Sequence, residues 1–239
     1  MQTPETADLA KSPDKQPEGR RLYQQIADRV RALIQRGDYP VGQRLPPERD
    51  LAQQLGVSRP SLREALIALE IEGSVEIRMG SGVYACARPA HSQEPLIAMG
   101  ESPVELMQAR SAVEGAVAVL ACAHVTPEGL ERLQETIDAM RTESAQGRDA
   151  LEHDRRFHVY LAEMSGNSVL TGLVGSLFDK RRSPLAAHMR SRLEGQPTWG
   201  SAISEHELIL RCLALRDPLA AEAAMRSHIR AATDRWVIS

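Results

Sequence analysis

The chain has 239 residues, a formal charge of −3, 42% hydrophobic residues and 3% aromatics. That is enough chain for two modest domains or one large one, and bulk charge does not announce a nucleic-acid binder. Three scattered cysteines without a CxxC pair speak against a disulfide framework. No apolar run approaches the length of a membrane span and no signal-peptide pattern opens the chain, so a cytoplasmic protein is expected.

Charge is unevenly spread. Residues 1–19 hold two Lys and four acids and read as a disordered polar tail. Residues 20–88 hold eleven Arg, no Lys and eight acids, a balance of +3, which leaves −4 for the remainder. A basic module joined to an acidic one fits DNA binding by the first part alone.

Arg21 to Gln35 predicts an amphipathic helix with Leu22, Ile26, Val30 and Leu33 on one side, ended by Gly37 and Pro40. An extended stretch through Leu45-Pro46-Pro47 follows, then a short helix from Glu48 to Leu55, closed by Gly56. Ser58 is the expected N-cap of a third helix that buries Leu62, Ala65, Leu66 and Leu69. Two short helices around a Gly-containing turn make a helix-turn-helix, and the second presents its N-terminal end to the major groove. Arg59 and Arg63 share a face there and can fork to guanine edges, while Ser58 and Ser61 can reach phosphates or bases. Val75–Arg78 and Val83–Cys86 read as two strands, with Met79-Gly80-Ser81-Gly82 as the tip of a wing able to approach the minor groove.

Residues 89–102 read as a linker with one short helix near Pro95–Met99. From residue 103 to 239 only helices are expected: Val104–Ala123, burying Leu106, Ala109, Val113, Ala116, Val117 and Leu120; one opened by Pro127, with Leu130, Leu133, Ile137 and Met140 inside; Ala150–Met164; a long helix from Val169 to Arg192; a loop at Gly195–Gly200; Trp199–Leu215; and Pro218–Trp236. The expected fold is therefore mainly α, an N-terminal winged helix-turn-helix followed by an all-α antiparallel bundle.

Four polar residues fall on apolar stripes of that bundle. Asp154 and His158 keep company with Phe157 and Leu161, His206 with Ile203, Ile209 and Leu213, and His228 with Ala224, Met225 and Ala232. Burying an unpaired Asp or His is costly, so three imidazoles and a carboxylate aimed into one core imply a shared partner, and a divalent metal is the simplest. Helix bundles build metal sites from facing helices in this way. A metallohydrolase would use similar ligands, but no extra Glu or His stands out as a general base, and catalysis leaves the DNA-binding module unexplained.

Leu45-Pro-Pro-Glu-Arg-Asp-Leu51, Gly56-Val-Ser-Arg59, Leu62-Arg-Glu-Ala65, Leu69-Glu-Ile-Glu-Gly73 and Gly80-Ser-Gly82 resemble the DNA-binding domain of the GntR transcription regulators. The resemblance implies that Arg49, Arg59 and Arg63 contact operator DNA and that Gly80 is the wing glycine. Pro47 stands where the family often carries Ser or Thr, so one capping hydroxyl is missing. Asp154-x-x-Phe157-His158, Ser165-Gly-Asn167, Glu205-His206-x-x-Ile209-Leu210 and Ala224-Met225-x-x-His228 resemble the FCD effector domain of the FadR-type subfamily. In that group the Asp and three His hold a divalent metal, often zinc, and a small carboxylate effector completes the coordination. Arg110 matches a helix arginine that pairs with the effector; the alternative is a simple ion pair with Glu114. Arg21-Leu-Tyr-Gln-Gln-Ile26, Leu66–Gly73, Val75–Arg78, Pro103–Arg110 and Arg182-Ser183 resemble bacterial hexuronate-utilisation repressors, which implies a hexuronate effector and a second contact at Arg182. Residues 184–192 depart from them, leaving as the alternative a regulator of another carboxylic acid, lactate or an aldonate, with a purely structural metal and the effector elsewhere. A homodimer on a two-fold operator is the expected working form.

Overall fold

The computed structural model describes residues 21–87, 99–191 and 199–237. The expected tail, most of the expected linker and the first part of the expected loop at Gly195–Gly200 lie outside these. The N-terminal unit contains α1 (Leu22–Arg36), α2 (Glu48–Leu55), α3 (Arg59–Ile71) and a hairpin of β1 (Val75–Arg78) and β2 (Gly82–Ala85). The two strands are antiparallel, with Val75 opposite Ala85 and Ile77 opposite Val83. Residues 42–45 run along the other side of β2, where Leu45 N–H donates to Val83 O at 2.8 Å and Ala85 N–H to Gln43 O at 2.9 Å. Period-2 burial turns Val75, Val83 and Ala85 inward onto Ile26, Val30, Leu51, Leu62, Leu66 and Leu69, the core that sets α3 in place.

Local signals set the helix ends. Ser58 accepts a hydrogen bond from Ser61 N–H at 3.2 Å and starts α3 as expected. Pro47 precedes α2 with no side-chain cap, and Glu48 and Asp50 supply the negative charge that favours a helix start instead. Gly37 and Gly56 adopt left-handed φ of 84° and 67° where α1 and α2 stop.

The C-terminal unit is a helical bundle: α4 (Pro103–Cys122), α5 (Pro127–Ala145), α6 (Leu151–Met164), α7 (Ser168–Asp179), a 3₁₀ turn (Lys180–Arg182), α8 (Pro184–Ser191), α9 (Trp199–Ala214) and α10 (Pro218–Val237). α4 runs along α10, and α5, α6 and α9 close the core around Phe157, Leu161, Ile137, Met140, Ile209, Leu213 and Met225. Trp199, expected in both a loop and the following helix, is helical.

Two expectations are corrected. The helix predicted over Val169–Arg192 is three pieces. Pro184 has no N–H to donate and disfavours helical backbone at the residue before it, and Ser183 accordingly sits at φ −60°, ψ 154°. The buried stripe predicted for α4 is also rotated. Ala109, Ala116 and Leu120 are exposed, whereas Arg110 and Glu114 are buried. The inward face is claimed by a pair of charged residues whose partners lie inside the bundle.

The two units touch directly. Leu185 and Met189 of α8, with Met99, belong to the N-terminal core. His188 of α8 meets Glu70 of α3 at 2.9 Å, and Tyr23 of α1 donates to Gly100 O at 2.9 Å.

Candidate metal centre and nucleic-acid interface

Asp154 and His158 lie one turn apart on α6, His206 comes from α9 and His228 from α10, and all four are buried. Asp154 Oδ1 is 3.4 Å from His158 Nε2 and 3.1 Å from His206 Nε2, and the two imidazole nitrogens are 3.5 Å apart. One candidate ligand atom from each of the four residues lies within 4.8 Å of all the others. Donors held about 2.0–2.2 Å from one zinc ion stand roughly 3–3.6 Å from their neighbours, a spacing that Asp154, His158 and His206 already have, so the cluster could hold an ion once the set draws in within its 4.8 Å spread.

The remaining imidazole nitrogens show a second regularity. His206 Nδ1 faces Ala202 O at 2.7 Å, His228 Nδ1 faces Glu205 Oε2 at 2.8 Å, and His158 Nδ1 stands 2.5 Å from Glu114 Oε2. His206 and His228 are thus each held by a hydrogen bond on one side, the arrangement that fixes tautomer and orientation in metal-ligating histidines, while His158 meets Glu114 at ion-pair distance without a hydrogen bond. The anchors are themselves held. Arg110 Nε donates to Glu114 at 2.6 Å, and Arg235 grips Glu205 at 2.6 and 2.9 Å.

The electrostatics of the cluster differ from group to group: against the cost of burial, Glu114 and Asp154 raise His158 above its ordinary value, whereas Asp154 and His228 are both lowered. Burial alone would raise the Asp154 carboxyl, but His158, His206 and Arg181 override it and hold the group well below the usual carboxylate range. Burial, reinforced by His206, pushes His228 down to about 3, so this ring is neutral and able to ligate. Glu205 is held at about 2 by His228 and Arg235 against the opposing cost of burial.

Two buried guanidinium groups border the cluster, and both lie against Phe178. Arg110 lies 4.7 Å and Arg181 4.4 Å from its ring centroid. Arg181 donates to Asp154 Oδ2 at 3.0 Å. Arg182 points elsewhere: its side chain is half exposed and donates to Glu152 at 2.7 Å. Of the two neighbours it is Arg181 that reaches the cluster, because one step along a 3₁₀ turn swings the side chain through about a third of a circle. Sequence reading missed Glu205 as well, although it adjoins His206, because its partners His228 and Arg235 come from another helix.

On the N-terminal unit, Arg59 is exposed at the start of α3 and Arg49 is exposed on α2. Arg63 is more enclosed, with Nη2 3.0 Å from Glu48 Oε2. Ser58 and Ser61 hydroxyls lie 2.8 Å apart, engaged with each other at the helix start. Gly80 takes φ 69° at the wing tip, a conformation costly for other residues. A groove of about 400 Å³ between α3 and the wing is lined by Arg44, Glu48, Arg63, Arg78 and Gly82. Arg44 was not singled out from the sequence. Its guanidinium lies over Gly82, where an added Cβ would fall 2.5 Å from Nε. Among the described residues it makes no ion pair. Arg78, by contrast, pairs with Glu76 at 2.7 Å.

Comparison with known proteins agrees with this division. Residues 22–85 match the family described as bacterial regulatory proteins, gntR family, and residues 105–231 match the FCD domain. The chain is 36% identical over 217 residues to the Exu regulon transcriptional regulator of Escherichia coli K12, covering 89% of this chain and 83% of that one. It is 32% identical to the Uxu operon transcriptional regulator of the same organism, covering 87% and 84%. It is also 36% identical to the putative L-lactate dehydrogenase operon regulatory protein of E. coli K12, covering 88% and 84%. The solved structure of Lar, which controls the expression of the Listeria monocytogenes agr system, shares the fold at 18% identity and a TM-score of 0.50, over 92% of this chain and 98% of that one.

Proposed function

This chain belongs to the GntR family of bacterial transcription regulators and carries its FCD domain, and from that premise we propose that it is a hexuronate-responsive repressor. It is a DNA-binding regulator, not an enzyme, as the family and its relatives are. In the proposed reading Asp154, His158, His206 and His228 hold a divalent ion, with zinc suited to the three-nitrogen, one-oxygen set. When bound, that ion supplies an open position for a carboxylate oxygen of the effector.

The chain's own groups do the rest. Arg110 and Arg181 bring two buried positive charges to the edge of the cluster, where a carboxylate gains charge-assisted hydrogen bonds. Glu114 keeps Arg110 oriented and braces His158 together, so one acid ties the guanidinium to the ligand set. Phe178, buried against both guanidinium groups, covers part of their surface from water. On DNA, Arg59 and Arg49 reach for base edges and backbone from the recognition end, Gly80 lets the wing approach closely, and two copies address a two-fold operator. The effector releases DNA only by binding more tightly to the arrangement that cannot hold the operator.

The observation that carries this reading is the convergence of the four candidate ligand atoms, two of the imidazoles hydrogen-bonded from behind, beside two buried arginines. The Exu and Uxu regulators favour hexuronates as the acid; the lactate-operon relative, at the same 36% identity as the Exu regulator, keeps lactate as the second reading. A thermal-shift screen of galacturonate, glucuronate, gluconate and lactate against zinc-loaded and metal-free protein decides between them. A hexuronate should stabilise the zinc form selectively. Equal shifts in both forms would remove the metal from recognition, and a shift with lactate alone would transfer the assignment to that acid.

A further inference from the structure

Glu64 is a carboxylate that the DNA-binding role does not use. It lies on α3, the recognition helix, yet it is 1% exposed and faces away from the DNA side. Its oxygens accept from Ser102 Oγ at 2.8 and 2.9 Å and from Val104 N–H at 2.8 Å. Among the described residues it has no cationic partner, and burial pushes its carboxyl up to about 7 against the lowering effect of the Val104 and Ser102 bonds.

Such a group is costly unless it satisfies something equally costly. That need is the start of α4. The first turn of a helix exposes amides with no intrahelical acceptor and carries the positive end of the helix dipole. Pro103 removes one of those amides, the hydroxyl of Ser102 accepts from Glu105 N–H at 3.2 Å, and Glu64 takes Val104 N–H. The same hydroxyl donates to Glu64, so acid, serine and helix start form one chain of hydrogen bonds across the two domains. α4 is also the helix that bears Arg110 and Glu114, the pair that meets His158.

We propose that Glu64 is a positioning residue that caps α4 from the other domain, so that movement of α4 at the metal and effector site is delivered to the recognition helix through this carboxylate. The delivery rests on the effector reading given above; the cap itself does not. Beside it, Gly100 at φ 94° sits so close to Ser183 that an added Cβ would fall 2.2 Å from that side chain. Glu101 joins Arg21 of α1 at 2.8 Å to Lys180 at 3.3 Å. The junction is tightly built on both sides of Ser102.

The test uses the full chain as wild type, Glu64→Ala, Glu64→Gln and Ser102→Ala. Amide exchange at Val104–Leu106 is read first. Operator affinity is then read without and with zinc plus galacturonate or glucuronate, alongside the zinc content of each variant. Glu64→Ala should lose at least tenfold of the protection at the start of α4. Its ratio of operator affinities without and with ligand should fall toward one at unchanged zinc content. Gln still accepts from Val104 and should retain most of both. Ser102→Ala, which removes the hydroxyl relay, should move in the direction of Glu64→Ala and stands in for it if that variant does not fold. Wild-type protection and a wild-type affinity ratio in both Ala variants would overturn the proposal. Lost protection with an unchanged affinity ratio would overturn delivery through Glu64. A wild-type operator affinity indifferent to every ligand would count against the effector reading and the delivery, and the exchange arm would still decide the cap.

Discussion

The buried cluster proposed to hold a metal was legible in the sequence because each of its residues interrupts an apolar stripe. Helical spacing alone turned Asp154, His158, His206 and His228 inward. What spacing could not supply was the second partner of each ring. Glu205 and Glu114 read as ordinary helix acids, and only the approach of α10 and α6 shows what they brace. That difference is testable. His206→Ala removes a ligand and should leave the purified protein without its full complement of zinc by metal analysis; full occupancy would dismiss His206 as a ligand. Glu205→Ala keeps every ligand and loses only an anchor, so zinc affinity should fall by about 10–100-fold in a chelator competition. An unchanged affinity would reduce Glu205 to a partner of Arg235. The DNA face divides similarly. Arg59→Ala should cost about 1–3 kcal/mol on the operator and little on unrelated DNA, as expected for a bidentate base contact. Arg44 lies along the wing above Gly82, and a phosphate contact there makes a distinct prediction. Arg44→Ala should weaken both DNAs alike and flatten the salt dependence by about one unit of slope. A loss confined to the operator would make Arg44 a base reader instead.

At the level of elements, most boundaries followed from caps and breakers: α2 was expected over Glu48–Leu55 and β1 over Val75–Arg78, as found. The failure at Val169–Arg192 is instructive because its cause, Pro184, was printed in the chain. Hydrophobic periodicity continued through the break and masked it. The break matters, since it frees α8 to leave the bundle and insert Leu185 and Met189 into the core beneath α3. The rotation of α4 has a different origin. Ala109, Ala116 and Leu120 form a persuasive apolar stripe, but burial of the Arg110–Glu114 pair beside His158 won the inner face, and no local pattern encodes that. If α8 is part of the N-terminal core, Leu185→Ala should destabilise the protein by about 2–5 kcal/mol in denaturant titration. Leu215→Ala, at a site 79% exposed, should stay within about 0.5 kcal/mol. Equal small effects would mean that α8 merely rests on the surface.

The whole molecule is two domains by sequence and by family, yet among the described residues packing joins them through α8 on α3, Glu64 on the start of α4, and Tyr23 with Arg21 on Gly100 and Glu101. A junction made of buried apolar and hydrogen-bonded contacts transmits strain, whereas a bare linker between independent domains would not. The consequence appears in how metal affects unfolding. An ion that binds the folded bundle and not the unfolded chain stabilises by about 2.7 kcal/mol at a free concentration one hundred times its Kd. With independent domains only the bundle's melting would rise, leaving a separate, zinc-insensitive transition for the winged unit. With the junction described, α3 cannot keep its core once α8 has left, so both units should melt together and zinc should raise that single transition. Calorimetry with and without chelator separates the cases. Two transitions, of which zinc moves only one, would show that the contacts across α3 are too weak to carry a signal from the metal site to DNA. A single zinc-dependent transition, lowered and split by Leu185→Ala, would identify α8 as the element that makes the two domains one cooperative unit.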